Sequence, residues 1–302
     1  METLTEREVL KMHAELHQPN AEELSILKNQ EPLVSFEIVK PFGFSEGRQS
    51  RVTLLEYTAA GTNKQVVWKR MGAGKGLTEA EAHLFESRLR PYRNGLHNFG
   101  WRVPQTRYSQ VVEVGGEFQV FSYDQFIPGG DAEHLVLNPE EPNFLKWHLL
   151  REIVSQLASY PQSDIDRKTL FGADVSVLPH GLDLKLANIV SAENGVFFVD
   201  LFGPKELNED RSWKTYSPKL DILPPENLLA VTGTREGAFL RLYRLIERHW
   251  SSIGGVTVGT LRNQLKQLLE NSRLASSETN FILSEVQDDY PWLDRVYKEQ
   301  NV

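Results

Sequence analysis

Leu178-Pro-His-Gly-Leu-Asp-Leu-Lys-Leu-Ala-Asn-Ile-Val190, followed by Gly195-Val-Phe-Phe-Val-Asp200, is the stretch that organises the reading of the whole chain. Asp183 and Asn188 stand five residues apart on a tight loop between short strands. Asp200 closes an apolar strand twelve residues after Asn188. Phosphoryl transfer needs a carboxylate that orients the attacking hydroxyl and accepts its proton. It also needs oxygen ligands for a magnesium ion that offsets the charge of the triphosphate. An Asp, an Asn and an Asp at a strand end supply these groups without a cysteine or histidine ligand.

Composition agrees with that economy. The 302 residues suggest two domains or lobes, and 40% hydrophobic with 25% charged residues is ordinary for a globular protein. Cysteine is absent, which removes disulfides, thiolate nucleophiles, Fe–S clusters and Cys-type zinc sites. Thirty-three Lys and Arg against 41 Asp and Glu give a net charge of −8, which argues against a nucleic-acid partner. Charges run through the first thirty residues and no apolar stretch reaches bilayer length, so the expectation is a cytoplasmic chain with no signal peptide and no membrane partner.

Upstream, residues 4–28 have loose helical spacing, and the period then changes. Leu33–Val39, Arg51–Tyr57, Gln65–Trp68, Thr106–Val114 and Glu117–Phe126 read as strands. An amphipathic helix from about Thr78 to Arg90 interrupts them, with Pro91 expected to stop it. Ile127-Pro-Gly-Gly130 marks a change of character. Beyond it, Asn143–Ser159 reads as a helix, Gly203–Pro225 as irregular, and about Glu226 to Tyr297 as mainly helices. The divisions are residues 1–32, an N-terminal helical extension; 33–127, a sheet-rich nucleotide-binding lobe; and 128–302, a lobe with the catalytic loop and a helical acceptor region.

Gly72-Ala-Gly-Lys-Gly-Leu-Thr78 sits where a phosphate loop would, between a strand and a helix. If Gly74-Lys75 supplied its Gly-Lys, the first glycine would have to be residue 69, which is Lys, and the hydroxyl position holds Gly76. It reads as a glycine-rich connection.

The Asp183-Leu-Lys-Leu-Ala-Asn188 spacing, with Val199-Asp200 after it, resembles the protein-kinase-like superfamily, and its aminoglycoside phosphotransferase (small-molecule kinase) branch in particular. The resemblance implies an α+β, two-lobed kinase-like fold: an antiparallel sheet plus one helix, then a mostly helical lobe. By the same resemblance Asp183 is the catalytic base, Asn188 and Asp200 are the metal ligands, and Lys185 lies near the transferred phosphate. Asp200-Leu-Phe-Gly203 departs from the Asp-Phe-Gly of protein kinases, and His180-Gly-Leu-Asp183 carries one residue more than the family's His-x-Asp. His180 itself reads as a packed, hydrogen-bonded loop histidine.

Val66-Val-Trp-Lys69 resembles the strand whose lysine meets the α- and β-phosphates, with a helix glutamate as its partner. Glu81 is favoured over Glu86, since it lies within the stripe of Leu77, Leu84 and Phe85. Thr78-Glu-Ala-Glu81 is also a capping box, which gives Glu81 a purely structural alternative. Asp124-Gln-Phe-Ile-Pro-Gly129 resembles the family's hinge, placing Gln125, Phe126 and Ile127 against an adenine. Phe42–Ser50 would cover the phosphates, with Gly43 and Ser50 as donors. The implied function is ATP- and Mg2+-dependent phosphorylation of a hydroxyl on a small-molecule acceptor such as a sugar, aminocyclitol or amino alcohol. The alternatives are a protein kinase-like enzyme, for which Lys185 and Pro224-Pro-Glu226 speak, and an inactive nucleotide-binding scaffold.

Overall fold

The computed structural model describes residues 33–42, 50–59, 62–71, 76–199, 201, 203–210, 212–215, 223–253 and 256–298. The helix expected over 4–28 lies outside the described residues, as do Gly43, Asp200 and most of the Gly72–Thr78 connection. The architecture is α+β: an N-terminal antiparallel sheet with one helix, followed by a mostly helical region. Contacts divide the chain into two compact units, the first running to Glu86 and including Gln105–Phe126, the second comprising Ser87–Pro104 and everything from Ile127 onward.

The first unit is built on β1 (Leu33–Phe42), β2 (Ser50–Ala59), β3 (Thr62–Met71), β4 (Thr106–Val114) and β5 (Glu117–Gln125). The five strands pair antiparallel in the order β1-β2-β3-β5-β4. Alternation sets the two faces. Val66 and Trp68 on β3 share one face with Leu55 on β2 and with Phe121 and Tyr123 on β5, and these five form the sheet's apolar cluster. The opposite face carries Lys69 on β3 with Ser122 and Asp124 on β5, because Lys69 pairs with Ser122 in register.

The helix α1 runs from Glu79 to Asn98, through Pro91 rather than ending before it. A proline inside a helix forgoes one backbone bond and crowds the preceding turn, a cost of about 3 kcal/mol. Ala82, Phe85, Leu89, Tyr92 and Leu96 are all buried at alternating spacings of three and four, so burial along one unbroken stripe outweighs the break. Pro91 lies off this stripe and is exposed, as is Leu84, which the sequence placed among the apolar positions.

In the second unit, β6 (Gly130–Asp131), α2 (Ala132–Leu137) and α3 (Asn143–Leu157) precede a hairpin of β7 (Asp166–Leu170) and β8 (Ala173–Val177). A second hairpin, β9 (Ile189–Ala192) with β10 (Gly195–Phe198), pairs with β6. Five helices follow: α4 (Pro225–Thr232), α5 (Arg235–Ile253), α6 (Val258–Glu270), α7 (Ser276–Gln287) and α8 (Pro291–Lys298). Pro225 opens α4 at its first position, where its missing N–H leaves no bond unmade. One large core joins the later turns of α1 to these elements, including Trp101, Leu150, Ile153, Leu182, Leu184, Phe239, Tyr243 and Trp292. Among the described residues no helix is long and apolar enough to cross a membrane.

Within this core Arg235 on α5 and Glu278 on α7 form an ion pair at 2.8 Å, with side chains 2% and 0% exposed. Glu278 also accepts from the Ser176 hydroxyl at 2.6 Å and from the Ala275 backbone N–H at 2.9 Å. Glu236, whose carboxyl burial pushes above its ordinary value, accepts from the Ser176 N–H at 2.8 Å. Removing one partner leaves a charge buried without its counterpart, so Glu278→Ala is expected to destabilise the protein by about 3–5 kcal/mol. The apolar double replacement Arg235→Met with Glu278→Leu should recover much of that loss in urea unfolding.

Candidate functional site

Leu182, Leu184 and Leu186 are buried in the second unit's core, so the alternation of an extended chain turns Asp183 and Lys185 to the other side. Lys185 Nζ lies 2.8 Å from Asp183 Oδ2. A short 3-10 turn over Leu186–Asn188 folds the chain back, and the Asn188 side-chain amide donates to the Asp183 backbone carbonyl at 3.1 Å. Asn188 is thereby set with its Oδ1 left as an oxygen donor. Val199, the last described residue before Asp200, donates its N–H to the Asn188 carbonyl at 2.9 Å.

The start of the loop is held just as firmly. Gly181 donates to the Lys205 carbonyl at 2.8 Å, and Leu182 donates to the Thr232 carbonyl at 2.7 Å. The Tyr92 hydroxyl donates to the Gly181 carbonyl at 2.6 Å, and the Tyr160 hydroxyl to that of His180 at 2.7 Å. A Cβ at position 181 would lie 2.3 Å from the Thr232 carbonyl oxygen, which explains the glycine.

His180 is packed and hydrogen-bonded. Its ring meets Tyr92 and Phe99 edge-on at 5.9 and 6.0 Å, and Nδ1 donates to the Pro179 carbonyl at 2.8 Å. Its Nε2 occupies the space a Cβ on Gly95 would fill, at 1.7 Å, so the glycine in α1 makes room for the ring. Burial pushes the imidazole below its ordinary value, which favours the neutral ring. Gly181 makes a tight turn against α4, and Asp183 on the far side of Leu182 points away from the core.

Asp183 has a second cationic neighbour that the motif did not announce. Arg241, on α5, donates from Nη1 to Oδ1 at 2.5 Å. Burial raises the Asp183 carboxyl, but Arg241 and Lys185 outweigh it, with help from Lys205, and hold it below the ordinary carboxylate range.

In the first unit Lys69 is almost completely buried, and its Nζ lies 3.4 Å from Asp124 Oδ2. The two are diagonal neighbours on one sheet face, since Lys69 pairs with Ser122 and Asp124 lies two residues on. Glu81 closes the capping box: its Oε2 accepts from the Thr78 N–H at 2.8 Å and from the Thr78 hydroxyl at 2.9 Å. Glu86 accepts from Ser109 on β4. Gln125 ends β5 with its N–H on the Gln105 carbonyl at 2.8 Å, Phe126 follows it, and Ile127 is buried. Ser50 begins β2 opposite Met71. The candidates Gly43 and Asp200 lie outside the described residues.

The sequence reading missed Asp124, Arg241 and Lys205. A carboxylate within a strand was a usable signal for Asp124, since strands seldom carry Asp. Nothing local marks Arg241, which reaches Asp183 across 58 residues of chain. Among the described residues no cluster of three or more His, Asp or Glu forms a metal site.

No protein-family model and no curated protein matches this chain. Among solved structures, the chain is similar to the Drosophila melanogaster PAN3 pseudokinase at 11% identity and a TM-score of 0.45, covering 89% of this chain and 65% of that one, just under two thirds of its length. It is similar to WaaP in complex with acyl carrier protein at 12% identity and a TM-score of 0.43, covering 87% and 89% of the two chains. Against the MAP kinase LmaMPK10 from Leishmania major it reaches 13% identity and a TM-score of 0.36, covering 92% and 72%.

Two outcomes test the site's electrostatics and packing. Because Asp183 is held below its ordinary pKa, its ion pairs stabilise the fold above about pH 4 and lose that contribution as acid protonates the carboxyl. Asp183→Asn should therefore unfold about 1–2 kcal/mol more easily at neutral pH, with the difference closing under acid. Gly181→Ala should cost about 1–3 kcal/mol, because the Thr232 carbonyl is backbone and cannot swing aside. Both are read from denaturant unfolding.

Proposed function

We propose that this chain is an ATP- and Mg2+-dependent phosphotransferase acting on a hydroxyl group of a small molecule. The observation that carries this reading is the bond from the Asn188 amide to the Asp183 carbonyl, at 3.1 Å. It ties the Asn188 side chain to the Asp183 backbone, and an amide oxygen near a carboxylate is the pairing this reading calls for. Asp183 would accept the acceptor's hydroxyl proton as that oxygen bonds to the γ-phosphorus. The bond from phosphorus to the bridging oxygen breaks, leaving a phosphorylated acceptor and ADP.

Lys185 would stay beside the transferred phosphoryl group. Lys69, buried and close to Asp124, would meet the phosphates of ATP, with Glu81, Gly43 and Ser50 as further binding residues. The adenine would be received at Gln125, Phe126 and Ile127. Asn188 and Asp200 would hold Mg2+, which offsets the charge of the triphosphate when bound. An amide oxygen and a carboxylate are hard oxygen donors of the kind Mg2+ takes.

A second reading, a nucleotide-binding scaffold without turnover, has one observation in its favour. Both carboxylate oxygens of Asp183 are already engaged, by Arg241 and by Lys185. The two readings separate in one pair of measurements. ATP should raise the melting temperature only with Mg2+, and Asp200→Ala should abolish that shift. Asp183→Ala should lower phosphate transfer by about 100- to 10,000-fold with nucleotide binding intact. Nucleotide binding with no turnover in the parent protein would favour the scaffold, and no nucleotide response at all would overturn both.

A further inference from the structure

The surroundings of Asp183 run against the charge of the chain as a whole. The protein carries −8, yet the groups acting on this carboxylate are Arg241, Lys185 and Lys205. Arg241 continues along α5 into Arg244 and Arg248, at i+3 and i+7, so the helix presents one basic ridge. Tyr297, on α8, lies within the fields of Arg241, Asp183 and Arg244. Arg244 is matched by Asp294 at 2.7 Å. For Arg241 and Lys185, among the described residues, the only carboxylate in reach is that of Asp183 itself.

This arrangement poses a problem for the proposed chemistry. A general base needs proton affinity as well as a lone pair directed at the incoming hydroxyl, and Arg241 on Oδ1 and Lys185 on Oδ2 both depress that affinity. Releasing either cation raises it. Lys185 is half exposed, at 45%, and would follow the transferred phosphoryl group. Arg241 is only 20% exposed, and parting it from Asp183 without a replacement would strand a guanidinium that is mostly out of water. An acceptor that brings its own oxyanion supplies that replacement, in the planar two-point geometry a guanidinium prefers.

We propose that the acceptor is an anionic hydroxy compound, a phosphorylated or carboxylated polyol, whose oxyanion pairs with Arg241 and so releases Asp183 to take the hydroxyl proton. This rests on the phosphotransferase reading and narrows its acceptor. Arg241 is then the residue that selects the acceptor, and neutral or amino-bearing polyols leave the Arg241–Asp183 pair closed. The negative charge of the whole chain plays no part in the choice, since screening confines it to about 8–10 Å while the ion pairs at Asp183 act in contact.

Calorimetric titration of the full chain with glucose, glucosamine, gluconate and glucose 6-phosphate, with and without Mg2+ and a non-hydrolysable ATP analogue, tests the proposal. Gluconate or glucose 6-phosphate should bind at least about tenfold tighter than glucose or glucosamine, a margin of about 1.4 kcal/mol. Arg241→Gln should erase that margin and Arg241→Lys should restore part of it, with melting curves showing that both variants fold. Equal binding across the four compounds, no binding of either anion, or a preference unchanged in Arg241→Gln would each overturn it. So would a loss that falls on the ATP analogue instead, which would assign Arg241 to the nucleotide phosphates. Transfer from labelled ATP is scored separately: an anion preference that needs Arg241 but comes with no transfer would refute the phosphotransferase reading and leave the anion site standing.

Discussion

Burying a carboxylate and a guanidinium together is costly unless nearly every polar atom finds a partner, and the second unit of this protein is arranged around meeting that condition. Arg235 and Glu278 lie deep between α5 and α7, and the groups that bond to them come from well-separated parts of the chain, with Arg235 Nε alone of their polar atoms left without a partner among the described residues. Ser176 on β8 donates its hydroxyl to Glu278 and its N–H to Glu236. Arg167 on β7 reaches Glu236 from the other side at 3.3 Å, and Arg235 donates to the Tyr160 carbonyl at 3.2 Å. The ion pair therefore positions two helices and a hairpin at once, because leaving any member unpaired in a low-dielectric core costs more than the pair returns.

The same network reaches the candidate site through one residue. Tyr160 accepts from Arg235 on its carbonyl and donates its hydroxyl to the carbonyl of His180, so the entry to the Asp183 loop hangs from the core ion pair. From there the loop is carried by backbone bonds, to Lys205 and Thr232, and by three alternating leucines. Of the candidate side chains only the Asn188 amide takes part in this anchoring. The backbone of the loop is thus held by other residues, while the Asp183 carboxylate is left to pair with Lys185 and Arg241.

Much of the fold was legible because its signals are local. Strand alternation placed β4 over Thr106–Val114 and β5 nearly to its end, and the apolar spacing placed α3 from Asn143. Local rules failed where burial competed with them. Pro91 was read as a stop because propensity is a property of a few residues, whereas the stripe from Ala82 to Leu96 is satisfied only by a helix that ignores it. The sequence favours Glu81 as the partner of Lys69 with a capping box as the alternative, and the structure shows the capping-box bonds to Thr78, within one turn of helix.

By itself, the sequence determined the spacing of Asp183, Lys185 and Asn188, the leucine alternation that turns the first two to one side, and the absence of any thiol chemistry. These follow from chain geometry over a few residues and from composition. Only the tertiary structure decided what surrounds them: Asp124 beside Lys69 from a neighbouring strand, His180 seated on Gly95, and Arg241 closed on Asp183 from a helix 58 residues away. Periodicity carries no record of which distant side chain arrives at a given carboxylate, and at Asp183 that arrival, not the motif, sets the charge and the hydrogen-bonding state of the group.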